Sequence, residues 1–462
     1  MRLWTSGEIA AATGGTASAE FEVSGVTFDS REVGAGDLFL ALSGEATDGH
    51  RFLEQAFASG AAGAVVSAET PHPHVRVADT MAALGGLGVA ARARMEGVVI
   101  GVTGSAGKTG TKEALFAALD RVEPGYAHRS VKSYNNHTGV PLSLARMPRN
   151  ARFGVFEMGM NHAGELAELT RLVRPHIAIV TTIAPAHMGF FTDESAIADA
   201  KGEIFAGLEP GGTAIIPFDS PHRDRLIAAA TPYAAKIVTF GTGEGADVRA
   251  IETMRTRLGG TFVTARIGSG GGPRELSFTV SQPGAHWVSN AMAILAAVDA
   301  AGADLEMAGL ALAELGGLTG RGARFLVPVA GGEVLVIDES YNANPASMRA
   351  TLEVLGHEQA VRRIAVLGEM RELGVHSEAF HAELSAPIQA AGIDHAILVG
   401  EEMLPLANAL EGHVDFVHVA DATAARDHLM DILGPGDAVL IKGSNGVRLS
   451  AVVAALAERA PA

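Results

Sequence analysis

The sequence predicts an α/β protein of three domains, spanning residues 1–96, 97–318 and 319–462. Three observations carry this. GVVIGVTGSAGKTGTKEAL (97–115) runs from an apolar strand through a glycine-rich turn into a helix, the arrangement of a P-loop. Around 245–280 the pattern becomes strand-rich, with TFVTARI and ELSFTV separated by glycines. After about residue 320, EVLVIDES, RIAVLGE, HAILVG, DFVHVA and DAVLIKG recur with room for one helix between each pair, as in βαβ units of a parallel sheet. The expectation is a small α/β N-terminal domain, a central P-loop mononucleotide-binding α/β domain with an added β-rich part, and a C-terminal Rossmann-like α/β domain.

Taken in order, the first domain has strands at GDLFLAL (36–42) and AGAVVS (62–67), with the helical stretch HRFLEQAFASG (50–60) between them. The central domain alternates strand RFGVFE (152–157), helix ELAELTRLV (165–173), strand HIAIVTT (176–182) and helix AIADAKGEIFAGL (196–208). The helix WVSNAMAILAAVDAAG (287–302) closes it. ELGGLTGRGAR (314–324) reads as the linker to the third domain, and its glycine-rich part, 316–322, as a hinge.

The chain has 462 residues, 48% hydrophobic and 19% charged, which excludes a disordered chain and provides for a large core. No apolar run approaches the roughly 18 residues that cross a bilayer. The N-terminus, MRLWTSGEIAAATGG, lacks a signal peptide's apolar core. With no cysteine, disulfides and thiolate metal sites are excluded. A cytoplasmic protein without membrane insertion is expected. The formal net charge of −17 disfavours nucleic acid and requires that anionic substrates be held by a few placed cations.

The loop places the backbone N–H groups of Gly104, Ser105, Ala106, Gly107 and Lys108 where they can point at phosphate, with the helix dipole behind them. Lys108 would neutralise the terminal phosphates and Thr109 would offer a hydroxyl to Mg²⁺. The spacing TGxxGKT is one residue tighter than the general motif, and ATP is the expected ligand. Glu157 ends one strand, and His187 follows another in the turn APAH. Parallel strands bring such ends to one edge, where a carboxylate and an imidazole can hold Mg²⁺ beside phosphate. Glu157 read alone is equally a surface strand end, and His187 a structural histidine. Lys201 shares a helical stripe with Ile197, Ile204, Phe205 and Leu208. It either snorkels past them or loses its charge, and a neutral amine can react with CO₂ to give an anionic carbamate.

VTFDSREVGAGDLFLALSGEATDGHRF, TGSAGKT, KSYNNHTGVPLSLARMP, FEMGMNHAGEL and DESYNANPASM, in that order, resemble the Mur ligases of peptidoglycan synthesis over nearly the whole chain. The last three point to the branch that adds D-Ala-D-Ala to UDP-N-acetylmuramoyl-tripeptide through an acyl phosphate. The sister branch, which adds a single third amino acid, usually shows YAHTP or YAHNP at the place of DESYNANP. The resemblance implies one Mg²⁺ at Thr109 and Glu157, and a second at His187 and a carbamylated Lys201. It assigns Asn290 to adenine, Asp338 to ribose and Arg321 to the γ-phosphate, with Arg324 close enough to compete for that alignment. Ser30 and Arg31 would meet the uridine diphosphate, and Asn135 and Asn136 the muramoyl-peptide. Tyr341, Asn342 and Asn344 follow Asp338, so one loop can link ribose to the second substrate; turn chemistry is the other reading of the asparagines. His376 and His381 read as ordinary helix residues. A monomer is expected. Two departures stand out: TTIAPAHMG has Thr182 and Gly189 where the family often has asparagine and glutamate, and Gly110 replaces a common Ser or Thr. Rival readings are the single-amino-acid ligase, a folylpolyglutamate or cyanophycin type of ligase, and a catalytically silent nucleotide-binding regulator.

Overall fold

A computed structural model describes residues 2–44, 47–257, 259–269 and 272–459. Among the described residues, a two-stranded antiparallel pair joins Trp4–Thr5 to Glu22–Val23, and three large sheets, each with its own helices, follow one another along the chain. The first has five strands in the order 16–17, 74–76, 63–66, 37–40, 25–27, parallel except at the 16–17 edge. Its helix Thr80–Ala93, capped by the Asp79 carboxylate, lies against helix Gly139–Ala145 of the central unit. Gly88 permits the approach, since a Cβ there would sit 3.2 Å from Pro141 Cα.

The central sheet has nine strands in the order 272–280, 261–269, 248–255, 236–241, 213–217, 177–180, 98–103, 153–157, 127–129. The strand Val98–Thr103 pairs in parallel with Ile177–Val180 on one side and Phe153–Glu157 on the other. Their residues are almost wholly buried, which is why they read as continuous apolar runs. This register brings the phosphate loop, Glu157 and the segment after Val180 to one edge. The last three strands, 248–280, form the antiparallel β-rich extension. Helix Ala285–Ala300 is apolar nearly all round and packs beneath the sheet with helix Lys108–Val122.

The third sheet has six strands in the order 323–329, 332–339, 438–442, 363–368, 395–399, 415–419. It is parallel as expected except for its first strand, Ala323–Val329, which pairs antiparallel with Gly332–Glu339. The expected linker therefore ends in a strand, and Leu318 already bridges to Arg321 and Gly322. The expected helix 196–208 is also shorter: an α-helix spans Glu194–Gly202, and a 3-10 turn, Glu203–Gly207, continues it. Leu208 leaves the helical backbone but stays packed on the same core, so the apolar stripe survives the change of helix type.

Candidate functional site

The loop after Thr103 is held from behind by the neighbouring strand end. Thr181 Oγ1 donates to the Ala106 carbonyl at 2.6 Å, and Ser105 N–H donates to the Thr182 carbonyl at 2.8 Å. Gly104 has φ 151°, and any Cβ there would collide with the Thr181 hydroxyl, so the position requires glycine. Helix Lys108–Val122 starts directly after Gly107, with its N-terminus behind the loop. Lys108 Nζ folds back to the Gly104 carbonyl at 2.8 Å. Burial lowers the Lys108 pKa, the Glu157 carboxylate opposes that shift, and Arg321 adds to it.

Glu157 is 1% exposed. Its carboxylate accepts the Thr109 hydroxyl at 2.9 Å and Asn135 Nδ2 at 2.7 Å. Lys112 Nζ lies 3.9 Å from it. A hydroxyl and a carboxylate within hydrogen-bond reach are a hard oxygen pair at a phosphate loop, and they fit Mg²⁺, which takes one or two protein oxygens and fills its shell with phosphate and water. The second expected pair differs. His187 lies at the cavity in a left-handed backbone (φ 57°), with Nδ1 2.6 Å from Glu372 Oε2. Lys201 is 1% exposed, and its amine has no hydrogen-bond or carboxylate partner among the described residues. Burial, with repulsion from Lys108, holds its pKa well below the ordinary lysine value. The neutral amine is the form that reacts with CO₂, and an unpartnered amine whose ammonium form is disfavoured by burial has the chemistry that fits a carbamate. Among the described residues, no three His, Asp or Glu side chains converge on a metal position.

Lys108, Asn135, Glu157 and His187 open onto a cavity of about 470 Å³ between the central and C-terminal units, while Thr109 and Lys201 are not among its lining residues. Lys108, Ser133, Asn135, Glu157, His187, His286, Trp287 and Asn290 line the central side. Arg321, Glu339, Tyr341, Asn342, Asn344 and Lys442 line the other. Arg321 stacks 4.2 Å over the Tyr341 ring and donates to Ser133 Oγ at 3.2 Å. Arg324 instead forms a two-pronged pair with Glu358 at 2.7 and 3.2 Å, away from the cavity. Asn290 faces the loop: a Cβ on Gly107 would lie 3.0 Å from its Oδ1.

Asp338 does not line the cavity. Its carboxylate accepts Gly320 N–H at 2.7 Å and both the N–H and the hydroxyl of Ser340, at 3.1 and 2.7 Å. The next residue along the strand, Glu339, faces the cavity, 3.5 Å from Lys442 Nζ. Burial raises the Glu339 carboxyl and lowers the Lys442 ammonium. Asn344 shows the turn chemistry and adds a bond across to the loop. Its Oδ1 caps helix Pro345–Gly356 through Ser347 N–H at 2.8 Å, and its Nδ2 reaches across to the Ser105 carbonyl at 3.2 Å. Asn342 turns its Oδ1 to Ala343 N–H, while its carbonyl accepts Lys442 Nζ at 3.0 Å.

Asn136, Ser30 and Arg31 also lie outside the cavity. Asn136 Oδ1 accepts Thr138 and Gly139 N–H at 3.2 and 2.9 Å, so it makes a turn into helix Gly139–Ala145. Ser30 donates to Gln55 at 3.2 Å, and Arg31 pairs with Asp29 at 2.6 Å; both belong to the first unit, outside this cavity. His381 is fully buried and accepts Met370 N–H at Nε2, and His376 sits in the turn before its helix, in keeping with structural roles. The sequence reading missed Lys112, His286, Trp287, Glu339, Glu372 and Lys442. Glu339 and Lys442 end parallel strands, so the strand-end rule that singled out Glu157 applies to them too. The two glycine departures have close neighbours, and nothing in the structure explains Thr182. A Cβ at Gly110 would lie 2.9 Å from the Trp287 ring, and one at Gly189 3.3 Å from the Glu372 carbonyl.

The chain is similar in sequence and fold to known proteins. The Mur ligase middle domain family matches residues 102–298, the Mur ligase glutamate ligase domain 324–445, and the Mur ligase family catalytic domain 22–107. UDP-N-acetylmuramoyl-tripeptide–D-alanyl-D-alanine ligase of Escherichia coli is 34% identical over 95% of each chain. MurF from Acinetobacter baumannii is 32% identical with a TM-score of 0.84, covering 98% of this chain and 99% of that one. MurF ligase from Thermotoga maritima in complex with ADP is 25% identical with a TM-score of 0.76, covering 94% and 97%.

Proposed function

The chain belongs to the Mur ligase family, and we propose that it joins D-Ala-D-Ala to UDP-N-acetylmuramoyl-tripeptide with conversion of ATP to ADP and phosphate. The observation that carries this is one cavity in which a phosphate loop faces Arg321, Tyr341 and Asn342 of another unit, with Asn344 bonded across to the loop. The full-length likeness to ligases bearing that name supports the substrate pair.

A carboxylate is a poor acyl donor because its leaving group would be oxide. The tripeptide's terminal carboxylate therefore attacks the γ-phosphorus, breaking its bond to the bridging oxygen and expelling ADP. The neutral amine of D-Ala-D-Ala then displaces phosphate from the acyl phosphate and gives up a proton, leaving an amide. Lys108 and Arg321 stabilise the charge spread over the transferring group. The loop amides of residues 104–108 hold the remaining phosphates. Thr109 and Glu157 would hold one Mg²⁺, and His187 with a carbamylated Lys201 a second. Bound there, such ions supply Lewis-acid neutralisation of phosphate charge. Asn290 takes adenine. The ribose falls to the strand end Asp338–Glu339, where Glu339 is the side chain on the cavity and Asp338 fixes the linker. Ser30 and Arg31 meet the uridine diphosphate, and Asn135 and Asn136 the muramoyl-peptide. Tyr341, Asn342 and Asn344 form the side that receives the amine substrate. Closure of the third domain on the second excludes water from the acyl phosphate.

The domains divide at 96/97 and 318/319, the chain works as a monomer, and its compartment is the cytoplasm. No described helix is long and apolar enough to cross a membrane.

Phosphate release and product formation test the reading. Ligation is expected with UDP-N-acetylmuramoyl-tripeptide and D-Ala-D-Ala together, and Lys108→Ala should lower it at least about a hundredfold. Equal ligation of single free amino acids would replace this reading with the sister activity.

A further inference from the structure

Among the described residues, five that are not glycine have a positive φ. Two of them, His187 (φ 57°) and Glu372 (φ 65°), face each other across the boundary between the central and C-terminal units. Glu372 Oε2 lies 2.6 Å from His187 Nδ1. The Glu372 carbonyl accepts Gly189 N–H at 2.9 Å. A Cβ on Gly374 would come within 2.8 Å of Gly189 Cα, so the two backbones touch. Each loop is anchored in its own core: Met188 packs in the central one, and Met370 and Leu373 in the C-terminal one. The buried His381 pins Met370 by accepting its N–H at 2.9 Å. Phe380 packs against both cores. A left-handed backbone is unfavourable for a residue with a Cβ and persists where the surroundings over-determine it. Here it occurs on both sides of a single contact.

We propose that Glu372 is a positioning residue for the ligation, delivered by the C-terminal unit: its carboxylate takes the Nδ1–H of His187, orients the ring and leaves Nε2 as the free lone pair. A carboxylate behind an imidazole selects its tautomer and orientation in this way. The proposal rests on the reading that His187 serves the phosphate end of the ligase site. It explains why the contact spans two units, since the imidazole is correctly presented only when they are docked, and this ties competence to closure.

The test uses the full-length protein, free of nucleotide and metal and labelled with ¹⁵N-histidine, with the pH raised until the His187 ring signals no longer move. His187, assigned by comparison with His187→Gln, is expected as the Nδ1–H tautomer. Glu372→Ala and Glu372→Gly should both lose it. The glycine variant suits the left-handed backbone and so separates side chain from backbone strain. Glu372→Gln, which still accepts an N–H, should retain it. In ligation, the alanine and glycine variants should lower kcat roughly 10- to 100-fold, with KM for ATP changed by less than about twofold, and the glutamine variant should keep most activity. An unchanged His187 spectrum in both deletion variants, or a changed spectrum with wild-type kcat, overturns the proposal. Failure of the proposed substrates would read differently, as a wild-type protein with the Nδ1–H tautomer that does not ligate D-Ala-D-Ala.

Discussion

Lys201 is legible in the sequence as a lysine on an apolar stripe, and the structure adds that its amine is unpartnered and repelled by Lys108. If it carries a carbamate, Lys201→Ala should lose most activity, and acetate should restore part by occupying the vacated anionic place. Lys201→Arg should stay inactive with acetate, because its charge persists and its bulk fills the space. Rescue by small amines and not by acetate would reject the carbamate. His128 was not legible: a histidine on a three-residue edge strand has no pattern. Burial pushes its pKa down to about 4, against the hydrogen bond to the Ser143 carbonyl. The unfolded chain titrates near 6.5 and so binds more protons between pH 4 and 6.5. Stability should therefore rise with pH across that window, by on the order of 3 kcal/mol from this group. Urea titrations at pH 4.5 and 7 should show a smaller difference for His128→Gln than for wild type; equal differences would rule His128 out as the source.

At the scale of elements, legibility followed burial on both faces. Val98–Thr103, Phe153–Glu157 and Ile177–Val180 are inner strands of a parallel sheet, and their apolar runs mark them. Thr16–Ala17 and Ala127–Arg129 are short edge strands with partly exposed residues, and no periodicity separates them from loops. Ala323–Val329 was hidden by the glycines before it, because its Pro328 is acceptable only at a sheet edge, where an unpaired N–H side faces out. The segment Tyr341–Asn344 was legible as a loop but not as a strut. Asn344→Ala removes a helix cap, costing about 1 kcal/mol by itself, and also cuts the bond to the Ser105 carbonyl. Asn344→Asp keeps the cap, loses the amide donor and adds a negative charge beside the phosphate loop. Both variants should raise KM for ATP several-fold, while only the alanine variant should lower Tm by a few degrees. If Asn344→Asp binds ATP normally, the strut has no role in the loop.

At the scale of the molecule, the question is how one cavity is assembled from units that the sequence can only place in order. The linker answers it. Gly320 N–H is held by Asp338 Oδ2, and the Gly320 carbonyl accepts Tyr341 N–H at 3.1 Å. Arg321, between these bonds, stacks on Tyr341 and reaches Ser133 of the central unit. Asp338 thus buckles the linker to the loop that begins at Tyr341, while Glu339, one residue on, lines the cavity. The alternation of a strand gives neighbouring acids opposite duties. They separate by nucleotide choice. If Glu339 meets ribose, Glu339→Ala should bring kcat/KM for ATP and for its 2′- and 3′-deoxy analogues to one level, removing a preference the wild type shows. If Asp338 is the buckle, Asp338→Ala should lower kcat for all three nucleotides by the same factor, roughly tenfold or more, leaving their ratios as in wild type. The reverse pattern, with ratios collapsing in Asp338→Ala and preserved in Glu339→Ala, would return ribose to Asp338 and leave the linker without its buckle.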